Sequence, residues 1–268
     1  MLWGVTTMAF FHRPIVEAVE IIAACGFDCV EIWADHVWDE QNGASPAELT
    51  AALTQHRLQS TVHCPILDVN IASPNRGIRE ESVRQVCLSI DLARELGSRL
   101  VVLHPGHKYS RLEADEAHWR YQVESLTKIL SHAQEQGVLS AVENMDRHKE
   151  VYSVQVWADL ERLFTHCGTP ERWVTLDVTH LGHTQAVLDF IEQAAAHIAH
   201  VHLSDCADGR LHLGLGQGSL DLQGILSALR AAGYQGVLSL ECFIPNNTPE
   251  RLRAELVRAK AYLSGKNW

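Results

Sequence analysis

Six side chains of the kind that bind divalent cations stand at, or next to, the ends of successive apolar runs. The runs are LQSTVH, RLVVLH, VLSAVE, WVTLD, AHVHL and GVLSLE. The six side chains are His63, His104, Glu143, Asp177, His202 and Glu241. Imidazole and carboxylate groups are common protein ligands of divalent metals. Because burying so many of these groups together without a cation would be costly, the pattern predicts a divalent-metal site.

The apolar runs alternate with helical segments along the whole chain. Strands are predicted at residues 2–7, 29–33, 58–63, 99–104, 138–143, 173–177, 200–203 and 236–241. They are almost continuously apolar, which is typical of parallel strands that are covered on both faces. Eight helical segments follow the strands, and five of them end at or just before a glycine. This alternation predicts an α/β fold, a single (β/α)8 TIM barrel that forms one domain over residues 1–268.

The longer irregular stretches follow strands and not helices. They are residues 34–45, 64–77, 105–114, 144–152 and 204–218. In a (β/α)8 barrel the carboxyl ends of all strands meet on one face, where the active site lies. The six potential ligands are therefore expected to converge on that face.

Composition excludes several classes of protein. No run approaches the roughly 20 apolar residues of a membrane span. The N-terminus, MLWGVTTMAFF, lacks the basic region of a signal peptide and reads as a first strand. Seven cysteines without a CxxC pair predict a reduced, cytoplasmic protein. The net charge of −11 argues against a nucleic-acid partner, which would need a basic surface.

Several strings resemble one known group of proteins. TVHCPILDVNIASPNRGIREESVRQVCLSIDLARELGSRLVVLHPG, AVENM, LDVTH and VHLSDC resemble the xylose-isomerase-like TIM-barrel superfamily. That superfamily includes the sugar (phosphate) isomerases and epimerases and the apurinic endonucleases of the endonuclease IV type. The resemblance covers essentially the whole chain, from CVEIW to LSLECF, and it is more specific for the superfamily than for one activity.

In the epimerase branch the resemblance implies one divalent ion, Mn, Co or Mg, with Zn as a further candidate. The implied ligands are Glu143, Asp177, His202 and Glu241. The resemblance also implies that both glutamates are catalytic and move protons on opposite faces of a sugar, through a metal-stabilised enediolate. His180 matches a histidine that contacts the substrate or the metal.

The endonuclease branch has three metal ions, and the resemblance to it is incomplete. His63 and His104, with Glu143 as a bridge, could build a second metal site or contact the substrate. A third ion would take His180 and an Asp-x-His pair, but here the pair reads Arg210-Leu211-His212. A complete three-metal cluster would need Asp208 as a substitute ligand. Arg210 and His212 are instead predicted to bind substrate, since an arginine suits a carboxylate or phosphate.

Two other segments allow alternative interpretations. Glu31 and Trp33, with Trp3 and Phe10, could form a wall against a sugar ring, or they could be barrel core. The glycine-rich segment 212–221 could cradle a phosphate, but a turn in which Ser219 caps the next helix is favoured.

The favoured function is a metal-dependent isomerase or epimerase of a sugar, sugar phosphate or related polyol ketone. The alternative is a metal-dependent hydrolase of the endonuclease IV type, which cleaves a phosphodiester, an abasic site or another bond. A barrel that only binds a ligand is disfavoured, because both proton-transferring glutamates are present. The expected partner is a small carbohydrate, not a membrane, and a homo-oligomer is compatible with the sequence.

Overall fold

Ten β-strands and nine α-helices occur in residues 1–244 and 248–264, the part of the chain that the computed structural model describes. The strands are β1 (Leu2–Thr6), β2 (Cys29–Trp33), β3 (Gln59–His63), β4 (Leu100–Leu103), β5 (Leu139–Glu143), β6 (Val174–Asp177), β7 (Ile198–Leu203), β8 (Asp205–Ala207), β9 (Arg210–Leu213) and β10 (Val237–Leu240). The helices are α1 (Ile15–Ala24), α2 (Ala34–Val37), α3 (Pro46–His56), α4 (Arg76–Leu96), α5 (Asp115–Gln136), α6 (Trp157–Cys167), α7 (Thr184–Ala194), α8 (Leu222–Ala231) and α9 (Pro249–Ser264). A 3₁₀ helix spans Thr7–Phe10.

Eight parallel strands close into a barrel in the order β1-β10-β7-β6-β5-β4-β3-β2. The first and last barrel strands pair directly, so that Gly4 of β1 lies opposite Ser239 of β10. The predicted (β/α)8 barrel is therefore confirmed. Each of the eight predicted strands is present, with ends that differ by at most two residues.

The strand period of two separates the hydrophobic core from the barrel interior. On β2, Val30 and Ile32 belong to the hydrophobic cluster that also contains helix residues. Glu31 lies between them and has no exposed surface. Because neighbouring side chains on a strand point to opposite faces, Glu31 lies on the interior face. The buried apolar side chains of β2 thus pack between the barrel and its helices, while the polar side chain of Glu31 points into the barrel interior.

The helix ends agree with the glycine signal in most cases. Gly97, Gly137 and Gly168 cap α4, α5 and α6 in the left-handed conformation, with φ between 68° and 71°. This conformation is strained for residues with a Cβ atom, which explains the choice of glycine. Helix α3 ends without one, since Arg57 takes the same conformation at φ 55°.

Two regular elements lie where irregular loops were expected. The stretch after β7 contains an antiparallel pair, β8 and β9, in which Asp205 lies opposite Leu213. The stretch after β2 contains the short helix α2. Elements of three or four residues carry too little periodicity to be read from sequence.

The glycine-rich segment before α8 forms a turn, but its cap differs from the expected one. Asp221 caps α8 by accepting a hydrogen bond from Gly224 N at 2.9 Å. The hydroxyl of Ser219 instead donates to the carbonyl of Cys206 at 3.1 Å. The favoured interpretation as a turn is therefore correct, while the assignment of the cap to Ser219 is wrong.

The loops after β3 and β4 are joined by one amide side chain. Asn70 donates from Nδ2 to the carbonyl of His107 at 2.8 Å and accepts from His107 N at 3.1 Å. Gly106, which directly precedes His107, has φ 87°, and a Cβ atom on it would lie 2.9 Å from the backbone nitrogen of Ala72. This close packing holds the segment that follows His104.

Candidate active site and metal centre

A cavity of about 560 Å³ opens at the carboxyl ends of the barrel strands. Five of the predicted site residues line it: His104, Glu143, His180, His212 and Glu241. Asp177, His202 and His63 are fully buried close by, and each lies within reach of one of the lining residues. The barrel therefore brings together groups that are far apart in the sequence.

Four of these residues form a compact group of potential ligands. One ligand atom from each of Glu143, Asp177, His202 and Glu241 lies within 4.8 Å of the other three. Nδ1 of His202 is 3.4 Å from Oε1 of Glu143, 3.8 Å from Oδ2 of Asp177 and 2.6 Å from Oε2 of Glu241. This is the set of four predicted from the sequence.

The free atoms of the group suit a cation. Oε2 of Glu143, Oδ2 of Asp177, Nδ1 of His202 and Oε2 of Glu241 are all buried and make no hydrogen bond among the described residues. Buried polar atoms without partners are costly and uncommon in native proteins. Three carboxylates and one imidazole form a hard, mostly oxygen ligand set that suits Mn, Mg, Co or Zn. The residues present therefore fit a divalent metal.

The turn after β6 holds Asp177 in place. Its Oδ1 accepts hydrogen bonds from Thr179 N at 2.7 Å, Thr179 Oγ1 at 2.8 Å and His180 N at 3.0 Å. With one oxygen held by three donors, the other oxygen, Oδ2, is left to face the ligand group. The local sequence Asp-Val-Thr-His thus orients the carboxylate without help from distant residues.

His63 and His104 lie in the same interior, as their strand-end positions predicted. Nε2 of His104 is 3.2 Å from Oε2 of Glu143, and Nε2 of His63 is 3.7 Å from the same oxygen. Nδ1 of His63 bonds to the carbonyl of Cys64 at 2.7 Å, so Nε2 is the nitrogen that faces Glu143. These three residues form a second group in which the potential ligand atoms lie within 4.8 Å of one another.

A third group combines Asp177 with His180 and His212. Nδ1 of His180 bonds to the carbonyl of Asn144 at 2.8 Å, which leaves Nε2 available. Asp208, the proposed substitute ligand, does not join any group among the described residues. It lies at the exposed tip of the β8–β9 hairpin, with φ 52°. Asp177 therefore takes the place in this group that was considered for Asp208.

Arg210 has a different environment from its predicted one. It is exposed on β9, where it pairs with Ala207, and it does not line the cavity. The sequence placed Arg210 near the site because it stands two residues before His212. Alternate residues of a regular strand share a face, but His212 has a left-handed backbone with φ 55°, and it lines the cavity while Arg210 does not. Substrate binding by Arg210 stays a prediction without support from the geometry.

Glu31, whose place the sequence left open between a cavity wall and the barrel core, is fully buried in the barrel interior. It was considered as part of a wall against a sugar ring, but its carboxylate contacts His200 and His202 inside the barrel. Burial raises the pKa of Glu31, yet the two adjacent histidines outweigh burial and hold the pKa well below its usual value. A carboxylate in the middle of an otherwise apolar strand was the available signal, because such a charge needs a buried partner.

The wall of the cavity is aromatic, with members other than those expected. Trp33 lines the cavity together with Phe11, and their rings are 4.9 Å apart. Phe10 is instead fully buried in the hydrophobic core, and Trp3 does not line the cavity. Of the residues considered for the wall, Trp33 therefore lines the cavity, and the ring beside it, Phe11, directly follows the 3₁₀ helix after β1.

Electrostatics in the group favour ionised carboxylates. Burial raises the pKa of Glu241, but His202 outweighs burial and lowers it to about 2. Burial also raises the pKa of Glu143, but the neighbouring His202 and His104 outweigh burial and leave that pKa well below the usual value. Burial lowers the pKa of His202, while Glu241, Glu31 and Glu143 raise it well above the usual value. His202 thus carries the positive charge that a metal ion would replace.

Helices of the described residues are too short or too polar to cross a membrane. The seven cysteines form no disulfide among the described residues.

Comparison with known proteins identifies the fold family. The profile of the xylose isomerase-like TIM barrel matches residues 19–262. A putative hydroxypyruvate isomerase of Streptomyces coelicolor is 27% identical over 91% of this chain and 90% of its own length. A probable endonuclease 4 of Mycobacterium marinum is 28% identical over 70% of this chain and 75% of its own length.

Solved structures share the same architecture. D-psicose 3-epimerase from Clostridium cellulolyticum H10, solved with D-tagatose, superposes with a TM-score of 0.82 at 19% identity. The superposition covers 99% of each chain. Together with the closed barrel and the match to the family profile, this shows that the chain belongs to the xylose isomerase-like TIM-barrel family.

Proposed function

We propose that this protein is a divalent-metal-dependent isomerase or epimerase of a sugar, sugar phosphate or related polyol ketone. The observation that carries the proposal is the convergence of four buried ligand atoms that make no hydrogen bond among the described residues, two of them on glutamates that reach the cavity from different strands. Glu143 ends β5 and Glu241 follows β10, with β6 and β7 between them. The likeness to a putative hydroxypyruvate isomerase supports the choice of substrate class.

Glu143, Asp177, His202 and Glu241 would hold the metal ion. A bound divalent ion would polarise a carbonyl oxygen and stabilise negative charge beside it. The chain's own residues would then move the proton. The carboxylate of Glu241, which lines the cavity, would accept the proton from the carbon next to the carbonyl. Glu143, on the other side of the group, would deliver to the opposite face of the substrate a proton that it takes up from solvent, and Glu241 would release its own proton to solvent, so that the protons balance.

The cavity itself suits a small polyol. Trp33 and Phe11 offer an apolar wall, while His104, His180 and His212 offer donors and acceptors for hydroxyl groups. Lys149 lies at the cavity and could neutralise a phosphate, although Asp146 is 3.7 Å from its ammonium group. One lysine is a sparse basic surface for a nucleic-acid backbone. The cavity therefore favours a small carbohydrate over a polynucleotide.

The alternative, a metal-dependent hydrolase, is supported by the second group. His63, His104 and Glu143 lie close enough to hold another ion, and two ions are a common arrangement for hydrolysis of phosphodiesters. The likeness to a probable endonuclease 4 supports the same alternative.

Solvent isotope exchange separates the two activities. The metal-loaded protein is incubated in D2O with ketoses, inososes and their phosphates, alongside an oligonucleotide with an abasic site. An isomerase or epimerase should incorporate deuterium at the carbon next to the carbonyl, and Glu241→Gln should lower turnover on the order of 10²–10⁴-fold. Thr175→Val is the control, because its buried hydroxyl makes no hydrogen bond to any residue that the structure describes. Cleavage of the oligonucleotide without exchange into any sugar would overturn the proposal.

A further inference from the structure

Glu31 extends across the barrel interior to a strand that is not its neighbour. Strands β1 and β10 separate β2, which carries Glu31, from β7. There the carboxylate contacts two histidines of the same strand face, His200 and His202. All three side chains have no exposed surface. Burial of a carboxylate between two imidazoles costs desolvation free energy. This cost indicates that the carboxylate has a role in the arrangement of the neighbouring residues.

The contact determines which nitrogen of His202 faces the potential metal ligands. Nε2 of His202 is 3.1 Å from Oε1 of Glu31. An ionised carboxylate only accepts hydrogen bonds, so Nε2 must carry the hydrogen. In the neutral imidazole Nδ1 then holds the lone pair, and Nδ1 is the nitrogen that faces Glu143, Asp177 and Glu241.

His200 and His63 restrict rotation of the Glu31 and His202 side chains. Nε2 of His200 contacts Oε2 of Glu31, while Nε2 of His202 lies 3.1 Å from Oε1 and 3.3 Å from Oε2, so both imidazoles hold the same carboxylate. The ring of His63 stacks on that of His202, with 5.7 Å between centroids and 16° between planes. Neither Glu31 nor His202 can therefore rotate without losing contacts on both sides.

We infer that Glu31, held in place by His200, is a positioning residue that selects the tautomer and orientation in which His202 binds the metal. The inference rests on the proposed metal site and adds a residue that lies outside the four ligands. A hydrogen bond from the second nitrogen of a metal-bound histidine orients the ring and makes it a stronger ligand, and loss of such a bond typically lowers metal affinity 10–100-fold.

Zn²⁺ serves as the probe, because it is diamagnetic and its binding can be followed by competition with a chelator. In the Zn²⁺-loaded full-length protein, ¹⁵N-labelled on histidine, His202 should show a hydrogen on Nε2 and a metal-bound Nδ1. The signals of His202 are assigned by their loss in His202→Gln. Glu31→Gln should abolish the single tautomer and weaken Zn²⁺ binding about 10–100-fold. His200→Gln should weaken binding by a smaller factor.

Thr175→Val is the matched control, since it alters a fully buried polar side chain that has no hydrogen bond within the described part of the chain, and it should leave the Zn²⁺ affinity and the His202 tautomer unchanged. A wild-type protein that binds Zn²⁺ through Nε2 of His202 would overturn the inference. Unchanged affinity and tautomer in Glu31→Gln, with only a lower melting temperature, would also overturn it. If Glu31→Gln does not fold, His200→Gln tests the inference instead. Unchanged Zn²⁺ affinity and an unchanged His202 tautomer in this variant would contradict the inference. None of these measurements needs a substrate, so they stand apart from the test of isomerase activity.

Discussion

Asn144 and Asp177 exchange two hydrogen bonds at the carboxyl ends of β5 and β6. The backbone nitrogen of Asp177 donates to Oδ1 of Asn144 at 2.9 Å, and Nδ2 of Asn144 donates to the carbonyl of Asp177 at 3.1 Å. Asn144 follows Glu143 directly, and its carbonyl accepts a bond from His180. The fully buried Asn144 therefore fixes the spacing between two proposed ligands through its side chain and contacts a third cavity residue, His180, through its backbone carbonyl.

Asn144→Ala should impair both stability and metal binding. Removal of the amide leaves the backbone N–H and carbonyl of Asp177 without these partners, which costs about 1–3 kcal/mol of unfolding free energy. We also expect metal affinity to fall about tenfold or more, because Asp177 loses its support. Urea unfolding measures the first effect and calorimetric titration with Mn²⁺ the second. Gln55→Ala, exposed on α3, should change neither quantity, and an Asn144→Ala protein with wild-type affinity would contradict the prediction.

Removal of the metal should destabilise the wild-type protein but not a protein that lacks a ligand. A ligand present at 100 times its dissociation constant stabilises the folded state by about 2.7 kcal/mol. EDTA should therefore lower the melting temperature of wild type. Asp177→Asn keeps a side-chain oxygen that can accept the hydrogen bonds from Thr179 and His180, but it loses the charged oxygen that would bind the metal. EDTA should therefore have little effect on the melting temperature of this variant. Equal shifts in the two proteins would show that Asp177 is not a ligand.

The number of bound ions should distinguish the proposed activity from the alternative. The isomerase proposal predicts about one divalent ion per chain by elemental analysis of protein purified without chelator. His104→Ala should then leave the count unchanged, because His104 belongs to the second group and not to the four ligands. Two or more ions in wild type, reduced by one in His104→Ala, would favour the hydrolase.

Acid should destabilise the metal-free protein in part through His118. This residue has no exposed surface, and its Nε2 lies 3.2 Å from the hydroxyl of Ser153. Burial, with the charge of Lys108, lowers the pKa of His118 to about 4. The unfolded chain has a pKa of about 6.5 and binds the proton first, so stability is complete above that pH and falls as pH decreases towards 4.

The expected loss is on the order of 1–3 kcal/mol. His118→Gln removes the titrating group and should flatten the pH dependence of unfolding free energy between pH 4 and pH 7. Urea unfolding with excess EDTA at several pH values measures this slope. An identical slope in wild type and His118→Gln would mean that other groups cause the acid sensitivity.

Much of the fold followed from local features that do not depend on distant contacts. Alternation of apolar strands with amphipathic helices predicts a parallel sheet, and eight repeats predict closure into a barrel. Closure in turn brings strand ends together, so Glu143, Asp177, His202 and Glu241 could be selected as neighbours from their positions alone. Short elements such as the β8–β9 hairpin could not be predicted in this way, because three or four residues show no clear hydrophobic period.

The sequence by itself determined which face of the barrel carries the ligands, since each ligand ends or follows a strand. It could not determine which groups touch across the interior. Glu31 reaches His202 over two intervening strands, and Arg210 stays outside although His212, two residues later, lines the cavity. Such contacts depend on the closure of the barrel and on the direction of one short hairpin. Only the tertiary structure decides them, because the residues involved are distant in the chain and carry no local signal of their partner.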